Sequence, residues 1–130
     1  MAVINKTFEL ATNGNCELIN ITEQISRIVR NSGLKDGLVN VFIPGTYVGI
    51  ATIECESGIL GEFPKAFKSL KKFYDNENID SQLKASLFSP TITLPFCKSS
   101  LILDTWQQLI LVDFGEGTRS HRITIQMVGE

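Results

Sequence analysis

One histidine, one tryptophan, two tyrosines, three cysteines and four prolines are all that this 130-residue chain holds of these types, and each scarcity closes off some chemistry. A single imidazole, His121, excludes any zinc or iron centre that draws two histidines from one chain. Cys16, Cys55 and Cys97 are an odd set at wide spacings, so they make neither a CxxC metal pair nor a disulfide framework and read as unpaired thiols in a reducing compartment. Basic residues are not in excess: 12 Lys and Arg face 14 Asp and Glu, for a net charge of −2, which excludes the basic face that dominates affinity for nucleic acid. No stretch approaches the roughly 20 apolar residues that span a bilayer, and Met1 to Glu9 carries no apolar leader, so a cytoplasmic protein without a membrane partner is expected. The patterns GxGxxG, GxxxxGK[ST], GxSxG and HExxH are missing, and with them the dinucleotide, P-loop, serine hydrolase and zincin chemistries.

What is present is apolar surface. Hydrophobic residues make up 43% of the chain, eight phenylalanines among them, enough to offset the entropy of ordering. At this length two separate cores would each be marginal, so one domain over residues 1–130 is expected. Val3 to Leu10 alternates in part and reads as a strand. Asn20 and Glu23 have the spacing of a capping box before a helix with Ile21, Ile25, Ile28 and Val29 on one face and Gly33 as its left-handed stop. From Gly37 the period is two: Leu38 to Ile43 and Tyr47 to Ile53 read as strands broken at Pro44-Gly45. Phe63, Ala66, Phe67, Leu70 and Phe73 return to helical spacing. Asp75 to Ser81 reads as a loop, followed by strands at Leu83 to Phe88, Thr91 to Phe96, Leu101 to Val112 and Arg122 to Val128, with a hairpin at Cys97 to Ser100. This order predicts an α+β domain with a mostly antiparallel sheet and two helices packed on one side.

Four small constellations carry chemistry. Glu54 and Glu56, two apart at a strand end, share a face and read as a base or cation ligand, or as two solvated rim charges. Pro44-Gly45-Thr46 offers amides and a hydroxyl to an anion, or is only a turn. Asn78, Ser81, Gln82, Lys84 and Ser86 form a polar set able to hold a phosphate, and an exposed edge would look the same. Arg119, His121 and Arg122 form a basic cluster that pairs with phosphate or guards a strand edge. Trp106, beside Gln107 and Gln108, fits a core tryptophan.

Several of these segments together resemble the YjbQ-like family, small proteins often described as secondary thiamine-phosphate synthases. The resemblance is carried by Asn20-Ile21-Thr22, Ser32 to Gly37, Val41 to Thr46, Thr52-Ile53-Glu54, Leu83 to Leu87, Thr105 to Gln108, Arg119 and the closing Val128-Gly129-Glu130. It implies a curved, barrel-like mixed sheet, a homotrimer, and an anion or metal site in a cleft near the subunit boundary. In that reading Glu54, Lys84 and Arg119 are catalytic, and Thr46, Ser81, Gln82, Ser86, Gln107 and His121 hold the ligand. A divalent metal, phosphate or sulfate stays open as what is bound. The chain departs from the family where relatives carry His-Thr-Thr-Ala, having Gly45-Thr46-Tyr47-Val48, and where they carry Ser-His-x-Lys-Ala, having Ser81-Gln82-Leu83-Lys84-Ala85. Near the C-terminus Arg119 and His121 stand in place of Arg-x-Arg. Two expectations follow: a phosphate-ester enzyme in which Lys84 and Arg119 hold phosphate and Glu54 is the base, or a non-catalytic homotrimer that has lost the family's imidazoles.

Overall fold

The computed structural model describes residues 1–130. In chain order the elements are β1 (Ala2–Gly14), β2 (Glu17–Asn20), α1 (Thr22–Asn31), β3 (Gly37–Phe42), β4 (Val48–Glu54), α2 (Ser57–Lys68), α3 (Asp80–Ser86), β5 (Thr91–Cys97), β6 (Ser100–Leu101), β7 (Gln107–Asp113) and β8 (Glu116–Gly129). Two 3-10 turns, Ser69–Phe73 and Glu77–Ile79, lead from α2 to α3. The strands make one five-stranded sheet, β1-β8-β3-β5-β6, and one three-stranded sheet, β2-β7-β4. The fold is α+β with a curled half-barrel sheet, as expected. Its strand pairs are all antiparallel, however, not mixed.

β7 divides the interior into two cores. Leu109 and Leu111 face the larger one, with Val39, Val41, Ile123, Ile125 and Met127 from the big sheet, Ile25 and Val29 from α1, and Ile21 just before it. Ile110, Val112 and Phe114 face the other, which Phe63 and Phe67 of α2, Ala85 of α3 and Phe88 complete. The helices therefore number three and flank β7 on both faces, rather than two on one side. A strand between two cores is apolar on both faces, which explains the unbroken run Leu109 to Val112. That run is buried within one chain.

Local chemistry departs from the sequence pattern in four places. Asn20 does not form a capping box: its Oδ1 accepts from Thr22 N at 3.0 Å, while Glu23 turns to Arg30 at 3.1 Å. The missing cap costs about 1 kcal/mol, less than the roughly 1.5–3 kcal/mol contributed by burying each of Ile21, Ile25 and Val29. The strand expected over Leu83 to Phe88 is instead α3 and its end. Ser81, Lys84, Ala85 and Phe88 point inward at helical spacing, Asp80 and Lys84 pair at i and i+4, and Leu83 and Leu87 are exposed. Leu101 to Val112 is interrupted by a turn in which Gln107 N donates to Asp104 O at 3.0 Å, and this puts Trp106 outside, 71% exposed, not in the core. The helix around Phe63 ends at Lys68 and continues as a 3-10 turn, leaving Phe73 in solvent. Lys98 and Ser99 both have positive φ, the type I′ geometry that suits a two-residue hairpin, so the Cys97 to Ser100 connection is as read.

Candidate anion cleft

The β7–β8 turn is where the polar chemistry collects. At the end of the inward row Leu109, Leu111, the next position is Asp113, a fully buried carboxylate. A buried charge must be met by donors or opposite charge, and three donors and one cation are present. Gly115 N donates to Oδ1 at 2.8 Å, the Thr12 hydroxyl donates to Oδ2, His121 Nε2 lies 3.3 Å from Oδ2, and Arg119 Nε lies 4.0 Å away. Thr12 and His121 are themselves buried and 2.9 Å apart. Strand alternation places this set: Arg119 and His121 are two apart on the inward side of β8, and Thr12 is the cross-strand partner of Arg119 on β1.

Glycine makes the turn possible. A side chain at Gly115 would collide with the Arg119 guanidinium at 2.7 Å, so the bare backbone is what lets the cation lie there. Gly14, in the left-handed region, packs against Gly115 with no room for a Cβ. Arg119 then lies over the Tyr47 ring at 4.8 Å, and its Nη2 donates to Glu116 O at 3.0 Å, while its Nε is buried with no hydrogen-bond partner.

Beside Arg119 runs a cleft made of two adjoining pockets, of about 270 Å³ and 380 Å³, that share Ser81 and Glu116. Tyr47, Asn78 and Arg119 line the first. Cys16, Lys68, Lys71, Asp80 and Lys84 line the second. α3 is fixed over the turn by Ser81, whose hydroxyl donates to Phe114 O at 2.6 Å. Lys84 is buried and bonds Asp80 at 3.0 Å. Burial works to raise the Asp80 carboxyl, but hydrogen bonds from Tyr74 and Lys84 and the nearby lysine charges hold it below the ordinary range. Burial, and then the same hydrogen bond with Asp80, push Tyr74 up to about 12. Burial also raises the Cys16 thiol, against the pull of Lys84.

The sequence-derived site thus divides. Ser81, Lys84 and Arg119 meet at the cleft, with His121 directly behind Arg119. Glu54 and Gln107 pair at the opposite end of β4 and β7, six residues beyond the pairing of Val48 with Asp113, roughly 20 Å away at the rise of a strand. There Gln107 Nε2 donates to Thr52 Oγ1 at 2.9 Å, and Glu54 stands by the exposed Trp106. Thr46 and Gln82 are exposed and line neither pocket of the cleft. Ser86 turns its hydroxyl to Leu83 O and borders a separate apolar groove. Nowhere do three or more His, Cys, Asp and Glu side chains gather as a metal would require. Sequence reasoning missed Asp113, Thr12, Lys68, Lys71 and Tyr47. Asp113 alone left a signal, as the one charged residue closing an apolar run.

These features define a class: a small α+β half-barrel whose interior ends in a buried carboxylate network behind a cleft with basic side chains. The model of the UPF0047 YjbQ-like family matches residues 6–130, and the chain belongs to that family. A UPF0047 protein of Archaeoglobus fulgidus is 32% identical over 90% of this chain and 95% of its own length. Another from Methanothermobacter thermautotrophicus is 30% identical over 100% and 95%. Among solved structures, a YjbQ/UPF0047 family protein of Clostridium acetobutylicum superposes with a TM-score of 0.85 at 26% identity, covering 95% of this chain and 99% of that one. A YbjQ-like protein of unknown function from Sulfolobus solfataricus gives 0.86 at 22% identity over 99% and 100%, a likeness of fold.

Proposed function

We propose that the chain binds the phosphate-like end of a small molecule in the cleft between α3 and the β7–β8 turn, and that binding is the part of thiamine-phosphate synthase-like chemistry it keeps. The observation that carries this reading is Arg119, stacked on Tyr47 and opening onto the same cleft as Ser81 and Lys84. A guanidinium presents paired donors to phosphate oxygens, a lysine adds a point charge, and a hydroxyl fixes orientation. Lys68 and Lys71 on the rim add positive charge to a cleft that Glu77, Asp80 and Glu116 also line.

Glu54 does not belong to this reading as a base, because its distance from Arg119 forbids proton transfer within one site. Two experiments test it. Phosphate and pyrophosphate should raise the melting temperature of the wild type and not that of Arg119→Lys, in which the fork is lost and the charge retained. Incubation with hydroxymethylpyrimidine diphosphate and thiazole phosphate should give no turnover dependent on Glu54. Turnover lost in Glu54→Gln would restore the enzyme reading with the site at the Trp106 end.

A homotrimer is the second part of the proposal. Its supporting surface is the outward face of the larger sheet, where Val3, Val128, Leu38 and Pro95 stand in register across four strands. Asn5, Gln126, Asn40 and Thr93 form the next row, so eight adjacent positions carry no charge. Light scattering at micromolar concentration should give three times the 14.4 kDa chain mass, and Leu38→Lys should lower it. A monomeric wild type would contradict this.

A further inference from the structure

We propose that Asp113 and His121, neither of which lines the cleft, are positioning residues for Arg119, and that an anion entering the cleft is taken up together with a proton on His121. The inference rests on the anion-binding reading above and adds its control.

Thr12 has one hydroxyl hydrogen, and it is donated to Asp113 Oδ2. Towards His121 Nε2, 2.9 Å away, the Thr12 oxygen can then only accept, so Nε2 carries a hydrogen whether the ring is neutral or charged. The variable proton is therefore at Nδ1. That nitrogen has no protein partner and is not among the side-chain atoms sealed from water, so it can exchange with solvent without breaking a bond of the network.

Charge bookkeeping gives the direction. With the ring neutral, Asp113 and Arg119 cancel. With it protonated, the buried group carries one net positive charge, a state that an anion beside Arg119 stabilises. The imidazolium also meets Asp113 at 3.3 Å, closer than the 4.0 Å of Arg119 Nε, so it takes the carboxylate's attraction and leaves the guanidinium to the ligand. The groups facing the ring are few: Asp113 from β7, Thr12 and the cross-strand Leu10 from β1, and Arg119 from its own strand. No other Asp, Glu, Lys or Arg lies within ion-pair distance of it. Because the bound state holds the extra proton, affinity rises as pH falls, by at most about tenfold per pH unit for one proton.

Sulfate is the probe, since its charge is constant between about pH 5 and 8, the window in which an imidazole changes charge. In untagged protein the single histidine gives one imidazole Cε1–H resonance, so its protonation is read directly. Adding sulfate at fixed pH should move that resonance towards the protonated position. Sulfate affinity should rise several-fold for each unit of acidification, and His121→Gln should bind sulfate with no pH dependence. Arg119-dependent binding that is flat across the window, with an unmoved resonance, overturns this inference and leaves the anion site standing. Sulfate binding that is absent, or is unchanged in Arg119→Lys, overturns both. The wild-type resonance decides the matter even if His121→Gln does not fold.

Discussion

Tyr74, Asp80 and Lys84 show how single residues at the cleft edge tie stability to pH. Asp80 titrates below the ordinary carboxylate range, so its contribution to stability is present above about 4, the unfolded value, and is lost as pH falls through the lower folded value. Urea denaturation at acid pH should show a slope in the wild type that flattens in Asp80→Asn. Tyr74 has the opposite sign. Its folded value of about 12 lies above the 10.0 of an ordinary tyrosine, so stability should decline as pH rises through that interval, and Tyr74→Phe should lack this component. Gly37 is a residue-scale constraint of another kind: a Cβ there would meet Val128 O at 2.1 Å and Gly129 Cα at 2.8 Å. Both contacts are backbone, so nothing flexible can yield. Gly37→Ala should cost about 1–3 kcal/mol or more, measured by chemical denaturation.

At the scale of elements, β7 organises the molecule because its two faces serve two cores. Phe114 packs its ring at a tilt against Phe67 and Phe88 at centroid distances of 5.3 and 5.6 Å, binding α2 and the end of α3 to the small sheet. Phe114→Ala should therefore cost about 3–5 kcal/mol, whereas Phe73→Ala, at a residue 81% exposed, should stay within about 0.5 kcal/mol. The elements most legible in the sequence were those with a clean period, such as α1, β3 and β4, where burial of one face decides the structure. α3 was not legible. Leu83, Ala85 and Leu87 alternate as a strand would, but the residues that dock are Ser81, Lys84 and Ala85, two of them polar, and their inward direction depends on a hydrogen bond to Phe114 O and an ion pair with Asp80. Trp106 was misleading for a related reason: large apolar residues suggest burial, but a turn closed by Asp104 and Gln107 overrides that preference.

Across the whole molecule, the α+β class and the family were legible, and the location of the site only in part. Ser81, Lys84 and Arg119 are far apart in sequence and meet because α3 lies over the β7–β8 turn. Nothing in local spacing reveals that approach. Nor does it reveal that Glu54, equally polar and at an equally plausible strand end, pairs with the end of β7 remote from the β7–β8 turn. The central claim is that anion chemistry belongs to the Arg119 end and not to the Glu54 end. The most direct measurement is a calorimetric titration of pyrophosphate into wild type, Arg119→Lys and Glu54→Gln. Binding that is weakened at least tenfold, about 1.4 kcal/mol, in Arg119→Lys and unchanged in Glu54→Gln is the predicted result. Loss of binding in Glu54→Gln with Arg119→Lys unaffected would contradict the account.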